Sequence, residues 1–417
     1  MALQPIAALV RAIYKRARLG DTLCIAIAVL LVAASSQAQT FRVIHEFTGP
    51  DGEIPTGRLS IDAGGHLYGS TYAGGAYNLG TAFRMSPQGS NWTFDRILQF
   101  DPESEGNDPQ AGLVIGPGGV LYGTTDNAPS VYTLQPPFTA PRSVLQPWSV
   151  NFIYDGFPFL TYPAGDLIFD SFGNIYGVTS TGGNGGCFLD RGCGAVYELS
   201  PSQGGWIKTT LYEFQGGADG EYPAGVNLDR SGKLIGTALN GGSSDVGVIF
   251  ELTPSSNGWS ESVIYNFSCS DDPGCMPQAG LTPDGNGNFY GSTTEEVGYS
   301  GSIFELSPAN GGWTVTTLAR IPQQYLLGPD APVTLDSAGN IYGTIAGSTS
   351  THGAVFKLTH SSGGWSFTSL HDFTGGSDGA TPLSTVAIGA NGKLYGTASQ
   401  YGSPGGCECG TVWEITP

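Results

Sequence analysis

The sequence predicts an all-β fold: a seven-bladed β-propeller of four-stranded blades, closed by the N-terminal strand pairing with the C-terminal blade. Three observations carry this. A unit of roughly 54 residues recurs seven times from about residue 40 to the last residue. Each copy has room for four short strands and the turns between them. The copies also start and stop out of phase, so that the first strand supplies what the last unit lacks.

The repeat is marked by an apolar-Tyr-Gly tripeptide: Leu67-Tyr68-Gly69, Leu121-Tyr122-Gly123, Ile175-Tyr176-Gly177, Phe289-Tyr290-Gly291, Ile341-Tyr342-Gly343 and Leu394-Tyr395-Gly396, with Leu234-Ile235-Gly236 lacking only the Tyr. The spacings are 54, 54, 59, 55, 52 and 53 residues. In the fourth unit, strand a is read at residues 224–229, Arg230-Ser231-Gly232 turns the chain, and strand b begins at Lys233-Leu234. A Gly precedes the Tyr position by three residues in all seven units, as a short hairpin with a left-handed residue requires. Asp62, Asp170, Asp229, Asp284 and Asp336 stand three residues earlier, where an Asp side chain can bond the turn's own backbone.

Strand c reads as Gly followed by alternating apolar residues, as in Gly247-Val248-Ile249-Phe250-Glu251-Leu252, which fits a strand packed on a neighbouring sheet. Lys357 and Arg84 stand where other units have Glu, which predicts a solvated position. Strand d carries Trp92, Trp206, Trp259, Trp313 or Trp365 eight residues before its terminal Phe or Ile, with Trp148 nearby in the second unit; packing between sheets is the favoured role. Phe41 to Phe47 matches strand d with no a, b or c before it, and Gly410 to Pro417 matches strand c with no d after it. Joining them closes the ring and removes both open edges.

Residues 1–38 read as a signal peptide. Arg11, Lys15, Arg16 and Arg18 precede an apolar run from Leu23 to Ala34 and a small-x-small site at Ser36-Gln37-Ala38. The run falls short of the ~20 residues that span a bilayer. Residues 39–417 are then the propeller, secreted or periplasmic, monomeric and off the membrane after cleavage. Without the leader, which holds four Lys/Arg and one Asp, the 16 basic and 35 acidic side chains fall to 12 and 34, a formal charge of −22. Such a surface repels phosphate backbones, which argues against a nucleic-acid partner. The six remaining cysteines fall into close pairs, Cys187 with Cys193, Cys269 with Cys275, and Cys407 with Cys409, as expected of disulfides in an exported chain. The Cys-Glu-Cys pair is tight enough that free thiols remain an alternative there.

Leu121-Tyr122-Gly123-Thr124-Thr125 and Gly247-Val248-Ile249-Phe250-Glu251-Leu252-Thr253-Pro254 resemble the Gloeo/Verruco-type tandem repeat of bacterial exported proteins. The resemblance covers essentially all of residues 39–417. It implies export and repeat architecture, and brings no catalytic residues.

Chemistry is sought on the face that would carry the d-to-a and b-to-c loops if strand a is innermost. Asp51, Asp219 and Asp378 recur in an Asp-Gly element before a Pro and are the candidate ligand-binding residues. A ring of carboxylates would suit Ca²⁺, but the dense Asp/Asn/Gly spacing of a calcium loop is missing. No cofactor is therefore assigned, and solvated turns are the favoured reading. The phosphate-loop motif is absent from the sequence, and no catalytic residue is assigned. The sequence thus points to a non-enzymatic module that binds a glycan or protein. The alternative is a secreted polysaccharide hydrolase or lyase with its site at the central channel.

Overall fold

The computed structural model describes residues 39–104, 106–137, 148–158, 160–187, 191–348, 350–402 and 407–417. The leader lies outside them. Residues 41–416 form one compact unit. It contains seven antiparallel four-stranded sheets in the order a-b-c-d. Blades 1 to 6 cover residues 60–99, 114–154, 163–213, 221–266, 282–320 and 334–372. Blade 7 takes strands a to c from Ala387–Ile388, Leu394–Ala398 and Thr411–Thr416, and its fourth strand from Thr40–Glu46.

The repeated residues each have a physical task. All seven turn glycines between strands a and b, from Gly65 to Gly392, have positive φ. The turn aspartates bond the backbone as the sequence predicts: Asp229 Oδ1 accepts from the N–H groups of Ser231 at 2.7 Å and Lys233 at 2.9 Å. Burial pushes the Asp62, Asp170, Asp284 and Asp336 carboxyls up, but such bonds outweigh it and hold them below the usual range.

The Gly of the tripeptide faces the strand-c aromatic across the sheet, as with Gly69 opposite Phe83 and Gly396 opposite Trp413. A Cβ on this Gly would lie 2.2–2.6 Å from that ring in every blade, so no larger residue fits. In five blades the residue that follows is a Ser or Thr that reaches the next blade. Ser70, Thr237, Ser292, Thr344 and Thr397 donate to the innermost-strand carbonyls of Ala111, Ala279, Pro329, Ser384 and Pro55. The last of these bonds, 3.0 Å long, joins blade 7 to blade 1.

The final apolar residue of strand d seals each blade. In six blades its N–H donates to the residue heading strand c at 2.9–3.2 Å, including Phe47 to Gly410 across the closure. The tryptophans are half-buried and pack between blades: Trp92 meets Tyr395 edge-on, and Trp148 meets Tyr68 in the same way.

One expectation is corrected. The strand-c Glu position is not solvated in blades 4 and 7, where Glu251 and Glu414 are buried. Glu251 accepts from Lys233 and from Trp313 of blade 5; Glu414 accepts from Lys393, Arg42 and Trp92 of blade 1. In both blades a lysine stands just before the tripeptide, where other blades have Asn, His or Val, and sets a positive charge beside the buried carboxylate.

Tyr132 and Tyr197 replace the strand-c Phe in blades 2 and 3, and both hydroxyls are buried without a partner among the described residues. Leaving a hydroxyl unsatisfied costs about 1–3 kcal/mol. Tyr132→Phe is therefore expected to hold or raise the thermal midpoint, and a lower midpoint would mean that the hydroxyl is bonded.

Candidate functional site

The seven innermost strands surround a central channel of about 710 Å³. Every blade contributes a short stretch after a Pro: Thr56, Gln110, Ala164, Ala224, Gln278, Asp330 and Leu383 share one repeat position and all line it. Strand a is thus innermost, and the d-to-a and b-to-c loops emerge together.

Around the mouth of the channel, two positions per blade are set by backbone geometry. The residue before the Pro takes a left-handed conformation in five blades: Ile54, Asp108, Tyr222, Met276 and Thr381 have φ between 55° and 58°. Its N–H bonds the preceding blade's strand-c loop, as with Asp108 to Leu79. Its carbonyl accepts from the residue just beyond strand b of its own blade, as Asp108 does from Asp126 at 3.2 Å and Tyr162 from Ser180 at 2.8 Å. This staple fixes the backbone and leaves both side chains free to vary.

On blades 1 to 3 these positions hold Tyr72, Asp108, Asp126 and Tyr162, all half-buried. Burial, then the charge of Asp108, pushes the Asp126 carboxyl up to about 7. Burial raises Asp108 as well, opposed by a hydrogen bond from Asn127. Burial and the fields of Asp108, Asp126 and Tyr162 raise Tyr72. Deeper in, burial pushes Asp330 up to about 6. Among the described residues neither Asp126 nor Asp330 meets a cation, whereas Arg58 of blade 1 is held 3.1 Å from Asp166 of blade 3. The mouth therefore offers two phenols and two carboxyls whose pKa values burial raises, groups that suit a ligand rich in hydroxyls.

The three aspartates singled out from sequence sit elsewhere and apart, each bracing its own loop to strand d. Asp51 accepts from Thr48 N at 2.7 Å and lies 3.1 Å from His45 Nε2. Asp219 accepts from Tyr212 Oη at 2.8 Å and Gln215 N at 2.9 Å. Asp378 accepts from Thr374 N at 3.0 Å and lies 3.1 Å from His371 Nε2. They belong to the loops entering blades 1, 4 and 7. The mouth residues carry a different signal, visible in retrospect: they occupy two positions whose residue type changes from blade to blade.

Disulfides join Cys187 to Cys193, Cys269 to Cys275 and Cys407 to Cys409, all in loops of this same face. Glu53 and Glu295 lie beside the last and the second of them. Those thiols are consumed in the bonds, so neither cluster is assigned to a metal.

The raised carboxyls give a signed pH dependence. Glu261 is also pushed up to about 7, by burial and then by Asp219. Groups whose folded pKa exceeds the unfolded value bind more protons when folded, so they favour the fold at low pH and lose that contribution as pH rises to about 7. The turn aspartates work oppositely, losing theirs as pH falls through their lowered values. The melting temperature is expected to be higher at pH 5 than at pH 8, measured by calorimetry, and a flat profile over that window would contradict these environments.

No helix among the described residues is long and apolar enough to cross a membrane. No curated protein matches the chain. Among solved structures, the extracellular domain of a one-component-system protein from B. thetaiotaomicron is similar over 90% of this chain and 40% of its own, at 12% identity and TM-score 0.52. A protein from Lactobacillus plantarum is similar over 75% and 83%, at 12% identity and TM-score 0.50. A structure from Bacteroides uniformis named for a 6-phosphogluconolactonase is similar over 80% and 88%, at 16% identity and TM-score 0.50. Identities this low speak for the propeller fold alone. The model of the Gloeobacter/Verrucomicrobia repeat matches residues 30–140 and 146–323, which is most of the sequence, and the chain belongs to that repeat family.

Proposed function

We propose that this chain is an exported, non-enzymatic glycan-binding propeller whose ligand sits at the channel mouth on blades 1 to 3. One observation carries the reading: Tyr72, Asp108, Asp126 and Tyr162 cluster on the face that bears the d-to-a and b-to-c loops. Phenol rings give flat apolar surfaces with a polar rim, and carboxyl oxygens accept from sugar hydroxyls. Export rests on the leader of residues 1–38 and on the three disulfides. Titration of the purified protein with neutral, acidic and amino polysaccharide fragments is expected to show saturable binding to at least one class. Tyr72→Ala and Asp126→Ala should each weaken it about tenfold, the equivalent of ~1.4 kcal/mol. Absence of saturable binding to any of them overturns the proposal.

A second reading, a glycoside hydrolase, is favoured by one feature. Burial, then the charge of Asp108, pushes the Asp126 carboxyl up to about 7, which suits a general acid beside a second carboxyl. Turnover of a polysaccharide that Asp126→Asn abolishes while binding survives would establish it.

A further inference from the structure

The segment entering blade 6 lacks the Asp-Gly element of the loops entering blades 1, 4 and 7, and we infer that it builds a docking surface for an apolar segment flanked by basic residues, separate from the channel mouth. After strand d of blade 5, Gln323–Tyr325 forms a single 3-10 turn. Tyr325 is buried; its hydroxyl donates to Asp372 at 2.9 Å and its ring meets Phe367 of blade 6. That anchor forces the next residue to turn outward: Leu326 is held at φ 67°, ψ −34° and is 57% exposed, with Leu327 43% exposed beside it. A branched aliphatic side chain in the left-handed region is strained, and Gly would relieve it. Two leucines kept in water at that cost are ill suited to a merely structural turn.

They do not stand alone. The neighbouring b-to-c loop of blade 5 exposes Val297 at 74% and Tyr299 at 45%. The two loops touch: a Cβ on Gly328 would lie 2.5 Å from Thr294 Cα and 2.7 Å from the Ser300 carbonyl, and Ser300 N donates to Ile321 O at 3.1 Å. These backbone contacts set the four exposed apolar side chains on two touching loops of one face.

Charge selects the occupant. Asp271, Asp272, Glu295 and Glu296 border the patch, and among the described residues Arg320 is their cation, bonded to Asp272 and Glu296 and lying over the Tyr299 ring. The border is therefore net negative, on a chain of formal charge −19. A second copy would bring the same acidic border to its own patch and be repelled, whereas a segment with apolar side chains between Lys or Arg would satisfy both features.

The test uses the purified protein and a short fluorescent peptide of alternating Leu and Lys, with Leu/Glu and Ser/Lys counterparts as controls. The Leu/Lys peptide is expected to bind wild type, more weakly in high salt, and at least ten times more tightly than either control. Leu326→Ser/Leu327→Ser should lose about tenfold or more of that affinity, and Val297→Ser on the other loop should lose affinity too. Leu326→Gly should weaken binding while raising the melting temperature, which separates a lost contact from a damaged fold. Equal affinity of wild type and the double variant, or equal affinity for the Leu/Glu peptide, overturns the inference. So does wild-type dimerisation, seen by sedimentation, that the double variant abolishes, since the occupant would then be a second copy.

Discussion

Phe47→Ala is expected to destabilise the protein by about 3–5 kcal/mol, the range for removing a fully buried aromatic side chain. Phe47 has no exposed surface and ends the strand that completes blade 7. Its N–H donates to Gly410 O at 3.0 Å, and its ring packs on Phe83 of blade 1 with centroids 5.3 Å apart. The side chain thus fastens the first strand to the last sheet and, in the same place, fills the seam between blades 7 and 1. Its equivalents elsewhere, such as Phe267, end a strand d that a hairpin already ties covalently to strand c of the same blade. Phe47→Ala should therefore cost more than Phe267→Ala in equilibrium denaturation. Equal losses would show that closure adds nothing to ordinary core packing.

Glu414→Ala is expected to cost about 3 kcal/mol, the lower end for breaking a buried ion pair. Glu414 is 5% exposed and takes bonds from Lys393 on strand b, Arg42 on strand d and Trp92 on the next blade, at 2.9, 3.1 and 3.3 Å. Removing it leaves two cations and an indole N–H facing one another. The lower end applies because the Lys393 and Arg42 side chains are 33% and 41% exposed and can turn toward water. Lys393→Met, which leaves Arg42 and Trp92 in place, should cost under ~1 kcal/mol. Chemical denaturation of both variants checks the order, and a larger loss in Lys393→Met would contradict it.

Most of the fold can be read from the chain because its determinants are local and repeated. The turn Gly, the Asp beside it and the alternating face of strand c each act within one hairpin. What could not be read depends on which blade lies next door. Glu251 and Lys357 share a repeat position, yet burial of the first depends on Lys233 and on Trp313 of the following blade. Asp51, Asp219 and Asp378 stand out in sequence because they recur, and recurrence is the mark of a brace. Tyr72 and Asp126 do not recur, and only the staple that sets them beside Asp108 and Tyr162 turns them into a group.

In five blades the hydroxyl after the tripeptide reaches the adjoining blade, the last of them from Thr397 to the Pro55 carbonyl, within a ring that has no first or last member. Heat or denaturant therefore finds no end from which to peel the structure, as it would in a linear stack whose terminal units fray. Loss of one blade withdraws partners on both sides, which makes melting a single concerted event and leaves little room for a half-unravelled species that would present bare strand edges to other molecules.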